Sequence, residues 1–368
     1  LYPFATFYHS KTRFRLGEQL LRRMVAVVKP LGWKAAEFTR QKLYAQLLIR
    51  ASLFSLELAN YRWAEAQLRE AIDLLHEPDD ARDLSEAWRA MGRITRMRGN
   101  RDETRHAAAE AMRLANLAND STRKAIAFNL HAVLASDEGE YEQSRRYLSS
   151  AIQLYEQDGY IEGAARMTCN LGSSYARALD VDKAQPYYEQ SLAMGEVVQS
   201  PMIVMVNVSN LAHVMRVKGK FDEAKQLYQQ SLQLAREMGI ERWIAANLMG
   251  LGQTYLSARE FPQAITTLRG CIEVGHRSQN YPDVLGGMSL LGMTWAQQGK
   301  VVPALRLMRF VEQHSATLAR DKATHAELLE ELLEELPPKL VEETSAWAAA
   351  QEIEDVARWL EGELAAPA

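Results

Sequence analysis

Small side chains recur along this chain at a fixed interval inside otherwise amphipathic stretches. Ala64, Thr104, Ser144, Ala184, Ala224, Ala264 and Ala304 are spaced by forty residues. A second small series twelve positions earlier, Ser52, Gly92, Ala132, Gly172, Ala212, Gly252 and Gly292, keeps the same register. Around that second series lie Leu48, Trp88, Phe128, Val208, Leu248 and Met288 on one side and Tyr175, Met215, Tyr255 and Trp295 on the other. These offsets of three and four place the apolar positions on one face of a helix. A second helix is predicted to begin near Tyr61, Tyr141, Val181, Phe221, Phe261 and Val301, with Leu68, Leu148, Tyr188, Tyr228, Leu268 and Met308 seven residues further on.

Gly99, Gly139, Gly219 and Gly299 fall between the two helices, where glycine can take the left-handed conformation that ends a helix. Each period therefore reads as helix, tight turn, helix. The small columns have a packing reason, because two helices approach closely only where one lacks a bulky side chain. Gly250 and Gly252 do not suggest a nucleotide loop, since no strand precedes them and no third glycine follows in place.

At 368 residues the chain has room for two ordinary domains, but a repeat array of this length is a single stack of neighbours. No uninterrupted apolar run is long enough to span a bilayer, so no membrane partner is expected. The net charge is −4 and the basic residues are scattered, which argues against direct nucleic-acid binding. Cys169 and Cys271 lie far apart within helical patterns and read as buried thiols, suiting a reducing cytoplasm. The chain opens at Leu1, and Leu1 to Tyr8 carries no basic leader, so it reads as a piece of a longer polypeptide.

The succession of large, Leu-Gly-type, aromatic, Gly, aromatic and Ala positions in Asn210 to Ala224 and Met288 to Ala304 resembles the tetratricopeptide repeat. The resemblance implies an all-α fold: a right-handed α-solenoid of about seven helix-turn-helix repeats over residues 41–320. Helical caps are expected at both ends, residues 1–40 and 321–368. A period of forty rather than the usual thirty-four implies helices longer by almost a turn each. At the front, Tyr2 to Tyr8 and Phe14 to Val28 read as a helix pair linked through Lys29 to Gly32, with Gly17, Leu21 and Met24 in the places of a repeat's second helix. At the back, Ala323 to Leu336 sets leucines against glutamates and is stopped by Pro337 and Pro338.

The front stretch Phe7, Tyr8, Arg13, Phe14, Gly17 and Glu18 and the tail Trp347 to Ala350, Ile353, Glu354 and Ala357 are similar to the two ends of the repeat domains in STAND-type signal-transduction ATPases, the MalT-like and AfsR-like regulators. That resemblance implies a sensor arm whose ligand relieves autoinhibition of an upstream ATPase module of the same parent chain. None of that module's motifs is present here.

Catalytic and metal-binding constellations are not apparent: the eight histidines are dispersed, and neither a GxSxG elbow nor metal-ligand spacing occurs. No enzyme activity and no cofactor are expected. His131 occupies a column otherwise filled by Met and Leu and reads as a core histidine, and the acidic run Glu327 to Glu335 reads as a solvated helix face. The informative polar residues lie on the first helices, whose exposed side lines the concave groove in tetratricopeptide folds. Arg166, Asn170, Ser173 and Arg177 share one helical face. Flanking repeats offer Arg89, Arg93 and Arg96, then Asn129, then Asn207, Asn210, His213 and Arg216, then Asn247 and Gln253. Amides can pair with peptide groups and guanidiniums can fork onto carboxylate or phosphate. The groove is thus expected to take a small-molecule inducer or a peptide or protein partner. Two alternatives stand beside this: ordinary solvation of the helix face, with Glu86 neutralising Arg89, and a passive protein-protein scaffold without a switch.

Overall fold

A computed structural model of the chain describes residues 14–29, 38–57, 60–278, 280–314, 317 and 319–365. Among them are eighteen α-helices and no strand. They are α1 (Phe14–Val28), α2 (Phe38–Glu57), α3 (Tyr61–Leu74), α4 (Ala81–Met97), α5 (Arg101–Leu117), α6 (Ser121–Asp137), α7 (Tyr141–Gln157), α8 (Ile161–Arg177) and α9 (Val181–Val197). Then follow α10 (Pro201–Val217), α11 (Phe221–Met238), α12 (Glu241–Ser257), α13 (Phe261–Arg277), α14 (Tyr281–Gln297), α15 (Val301–Gln313), α16 (Ala319–Glu335), α17 (Pro338–Ala349) and α18 (Ile353–Ala365). The segment Tyr2 to Tyr8, Arg13 and the link Pro30 to Gly32 lie outside the described residues. The chain divides into two compact units, Leu1–Val214 and Met215–Ala368.

The helices are cut to one length by one turn device. From α4 to α14 each begins twenty residues after the last, and 17-residue helices are the rule. After α4, Gly99 takes φ 73 and the amides of Gly99 and Asn100 donate to the carbonyls of Arg96 and Thr95 at 2.9 and 3.0 Å. That pair of bonds is the Schellman closure, which satisfies carbonyls the helix end would leave bare. Asn100 then serves as the N-cap of α5, its side chain accepting from the Glu103 amide, and Asp120 and Asp180 do the same for Arg123 and Lys183. The left-handed position recurs at Asn119, Gly139, Gly159, Leu179, Gln199, Gly219, Gly239, Arg259 and Gly299. Glycine therefore fills most, but not all, of the sites that ask for it.

The two small columns meet each other. A Cβ on Gly172 would stand 2.9 Å from the Tyr188 ring and 3.1 Å from the Ala184 carbonyl. Gly252 and Gly292 meet Leu268 and Met308 on their second helices in the same way, while Gly92 meets Leu130 on the next first helix. Where the first series carries serine, Ser52 Oγ donates to the Ala64 carbonyl at 3.2 Å. Ala64, Thr104, Ala184, Ala224, Ala264 and Ala304 are all fully buried. Helices this short are marginal alone in water, so this inter-helix burial is what holds each one.

In the first unit, α2, α4, α6 and α8 pack successively on one another, while contacts between the second helices α3, α5, α7 and α9 are sparse or absent. The layer with the closer spacing is the inner one, so the first helices form the inner wall of that unit. At the front, Gly17 and Leu21 are buried, but Met24 is 41% exposed and Val25 takes the inward place, because the buried stripe steps by four rather than three there. At the back, α16 starts at Ala319 and packs Leu329 on Leu305 and Met308. Pro338 opens α17 as well as ending α16, since proline's missing N–H costs nothing at a helix start. Trp347 and Trp359 then close over Trp295 within the second unit.

Candidate functional site

The inner wall of the first unit carries a chain of side chains bonded from one repeat to the next. Asn170 on α8 donates Nδ2–H to Asn129 Oδ1 on α6 at 2.8 Å. Asn210 on α10 donates to Cys169 Sγ at 3.3 Å. Both contacts join residues forty-one apart, one more than the repeat, which is the slip between neighbouring first helices. Each amide spends one donor on this link, leaving the other N–H and Oδ1 of half-exposed Asn170 and Asn210 turned to neither neighbour. Ser173 donates to the Cys169 carbonyl and receives the Tyr188 hydroxyl at 3.3 Å, so it braces α8 against α9.

Guanidiniums flank these amides at both ends of the helices. Arg89 donates Nε–H to Glu86 at 3.1 Å, with its terminal nitrogen on the same oxygen, and Arg123 reaches the other oxygen at 2.7 Å. Glu86 is 4% exposed, and burial alone would raise its pKa; Arg89, Arg123 and Arg50 outweigh that and hold it at about 2. The neutralisation of Arg89 by Glu86 is therefore real, and Arg123 adds a second cation the sequence reading did not include. At the other end, Asp137 on α6 receives Arg96 from α4 and Arg177 from α8, the latter at 2.9 Å with a further bond to Ser136 Oγ. Burial works to raise the Asp137 pKa, and the two arginines bring it below the ordinary value. Arg166 is exposed one turn before Asn170 and makes no ion pair among the described residues. Arg93 and His213 are half-buried on the same helices.

Two expected site residues fall elsewhere. Asn207 is fully buried, donating to Ser191 Oγ and the Ile203 carbonyl, both at 2.8 Å. Asn247 is fully buried too and donates to the Trp243 carbonyl at 2.8 Å. Each sits one helical step inside the groove face, in the column of Ala87, Ala127 and Met167, and so cannot meet a ligand. Arg216 and Gln253 belong to the second unit; Arg216 lies against Tyr228, whose pKa burial raises. His131 is not a core residue: it is half-buried, 5.3 Å from the Tyr147 ring, and with Phe128 floors an outward cleft of about 510 Å³ between α5 and α7. Burial lowers its pKa. Cys169 and Cys271 are buried and unbridged, as the sequence suggests.

No group of His, Cys, Asp or Glu among the described residues is arranged to hold a metal ion, and no described helix is long and apolar enough to cross a membrane.

Residues 123–196 and 204–274 match the tetratricopeptide repeat. Regulatory protein AfsR of Streptomyces griseus is 27% identical over 199 residues, 51% of this chain and 19% of that protein, so the match spans about a fifth of the relative's length. Among solved structures, a Rap protein complexed with competence and sporulation factor superposes with a TM-score of 0.61 at 14% identity, covering 88% of this chain and 96% of that one. A STAND protein with a tetratricopeptide repeat sensor from Pyrococcus horikoshii gives 0.56 at 14% identity over 95% of this chain and 54% of that one. Residues 123–196 and 204–274 thus carry tetratricopeptide repeats, the solved structures share the all-α repeat fold of this chain, and a regulatory protein is among its relatives.

Proposed function

We propose that this domain is a non-catalytic sensor arm of a larger regulator, and that the inner wall of its first unit takes an extended peptide or protein segment. The observation that carries this is the amide series Asn129, Asn170 and Asn210. The open carboxamide edges of Asn170 and Asn210 each present a donor beside an acceptor, the pattern a peptide group offers in return. Arg166 and Arg177 flank the series on α8, Ser173 and His213 border it, and Arg89 and Arg93 extend it toward α4. A Rap protein of the same fold is solved with competence and sporulation factor, and a STAND protein carries a repeat sensor, which makes ligand-controlled regulation of an upstream ATPase module the favoured role. Binding would act by population shift, since a ligand touching several repeats favours the spacing it fits.

The test is a thermal-shift and hydrogen-exchange screen of the domain with candidate peptides. A true occupant raises the melting temperature and slows exchange in α6, α8 and α10. Asn170→Ala with Asn210→Ala should abolish both effects, and unchanged affinity in that variant would remove the site assignment. Scattering profiles that stay the same with ligand bound would favour a passive scaffold over a switch.

A further inference from the structure

Helix α6 turns Asn129 to the inner wall and a different face, carrying Lys124, Phe128 and His131, to the cleft of about 510 Å³ between α5 and α7. In the repeats on either side, the places of Lys124 and His131 belong to the core: Leu84 and Met91 before, Ala164 and Leu171 after, all buried. Here the same two places hold an ammonium and an imidazole, which cost more to bury than the apolar residues they stand for. Such a departure from a fold's own pattern is expected at a functional site. Space is left for it because α6 rests less closely on α5 than α8 rests on α7. Three rings line the cleft, Tyr147 standing 6.0 Å from Phe128 and 5.3 Å from His131, and Met112 adds apolar surface. His131 gives one ring N–H to the Ala108 carbonyl and burial lowers its pKa, so near pH 7 it is neutral and its second nitrogen is an acceptor. At the other end of the cleft, Lys124 spends one of its donors on Asn119 Oδ1 at 3.3 Å and forms no ion pair among the described residues. Asp120 and Asp158, which flank this end of α6, are engaged by Arg82 and by Ser121, and none of the described residues lining the cleft is acidic.

We infer that this cleft is a second binding site, separate from the inner wall, for a small planar aromatic acid. Lys124 and His131 stand seven residues apart on one helix, about 10 Å along its axis, with Phe128 between them. A two-ring aromatic with a short carboxylate arm and a ring N–H matches all three. Its face rests against Phe128 and Tyr147, its carboxylate meets the Lys124 ammonium, and its N–H meets the open nitrogen of His131. The cleft's volume falls within the roughly 300–1,000 Å³ of small-molecule sites. A lining with one ammonium and no carboxylate selects an anion over a cation, and a single negative charge over the several of a phosphate ester.

The experiment is isothermal titration calorimetry of the whole chain with indoleacetate as the probe. Three analogues each remove one feature: tryptophol the carboxylate, N-methylindoleacetate the N–H, and cyclohexylacetate the aromatic face. Indoleacetate should bind about tenfold tighter than tryptophol, and several-fold tighter than the other two. Lys124→Ala and His131→Leu give this repeat the residues of the next, Ala164 and Leu171, so both variants should fold with melting temperatures no lower than the parent's. Lys124→Ala should erase the advantage of indoleacetate over tryptophol, and His131→Leu its advantage over the methylated analogue. Equal binding of indoleacetate and tryptophol by the parent, binding unchanged in both variants, or no binding of any probe would overturn the inference. Binding of N-acetylglycyltryptophan without binding of indoleacetate would overturn it in favour of a chain terminus. Neither substitution touches the amides of the inner wall, so peptide binding there stands or falls separately.

Discussion

Leu179 stands where most of its counterparts are glycine, and replacing it with glycine should stabilise the protein. Its φ is 62 and its side chain is 90% exposed. A left-handed conformation costs an L-residue with a Cβ roughly 1–2 kcal/mol. Glycine escapes that cost but loses about 0.5–1 kcal/mol more to unfolded-chain entropy. Little burial is forfeited, since a fully buried leucine is worth only about 2 kcal/mol and this one is nine-tenths in water. The turn's own bonds, Leu179 N–H to the Ala176 carbonyl and Asp180 N–H to the Tyr175 carbonyl, both 3.0 Å, involve no side chain and remain. Leu179→Gly should therefore gain roughly 0.5–1 kcal/mol, and the reciprocal Gly139→Leu, where a Cβ meets nothing within 4 Å, should lose about as much. Urea unfolding followed by circular dichroism, with the slope compared between variants, reads both changes. If Leu179→Gly is neutral or destabilising while Gly139→Leu is destabilising, the side chain at 179 has a role that backbone strain does not describe, and the reasoning fails.

Further outcomes follow from the packing and the buried charges. Gly172→Val should destabilise by about 1–3 kcal/mol, because the Tyr188 ring and Ala184 carbonyl leave no room; thermal unfolding checks it, and an unshifted midpoint would contradict the close approach. Glu86 has its folded pKa held at about 2 against an ordinary 4.5, so its stabilisation is complete above about pH 5 and drains away as pH falls toward 2, on the order of 3 kcal/mol in all. Unfolding measured at pH 7 and pH 3 should show a smaller loss in Glu86→Gln than in the parent, and equal losses would remove Glu86 from the acid transition. Burial pushes the Cys169 thiol up to about 12 and that of Cys271 up as well, so neither should react with a thiol reagent at pH 8 until denaturant is added; fast labelling of the native protein would show the thiols to be accessible.

The forty-residue period was legible in the sequence because close helix contacts tolerate only small residues, and Gly172 against Ala184 is such a contact. The finer twenty-residue rhythm was not, since the turns between repeats are closed by Asn119, Gly159, Gln199 and Gly239, of which only two are glycine. On the inner wall, Asn170 and Arg177 could be placed on one face by spacing alone. The bonds they make to Asn129 and Asp137 could not be read off, because the forty-one- and forty-residue offsets between neighbouring helices are a property of packing rather than of the repeat. Asn207 and Asn247 misled because an asparagine reads as polar surface, whereas their column elsewhere holds Ala87, Ala127 and Met167 and faces inward. Column membership outranked residue type there. His131 shows the converse, sharing a column with Leu171 and Leu211 yet looking onto an outward cleft.

The equal spacing of helix starts makes the array a lattice that can be spliced. Excising residues 141–180 would join Glu140 to Val181, placing a cap before a helix start as before. The same cut would bring Asn210 into the place that Asn170 leaves, opposite Asn129, so an amide would again face an amide. Copy number in such a chain can change by whole cells while the proposed recognition strip stays in phase, so a segment bound there could vary in length without redesign of the contacts that read it.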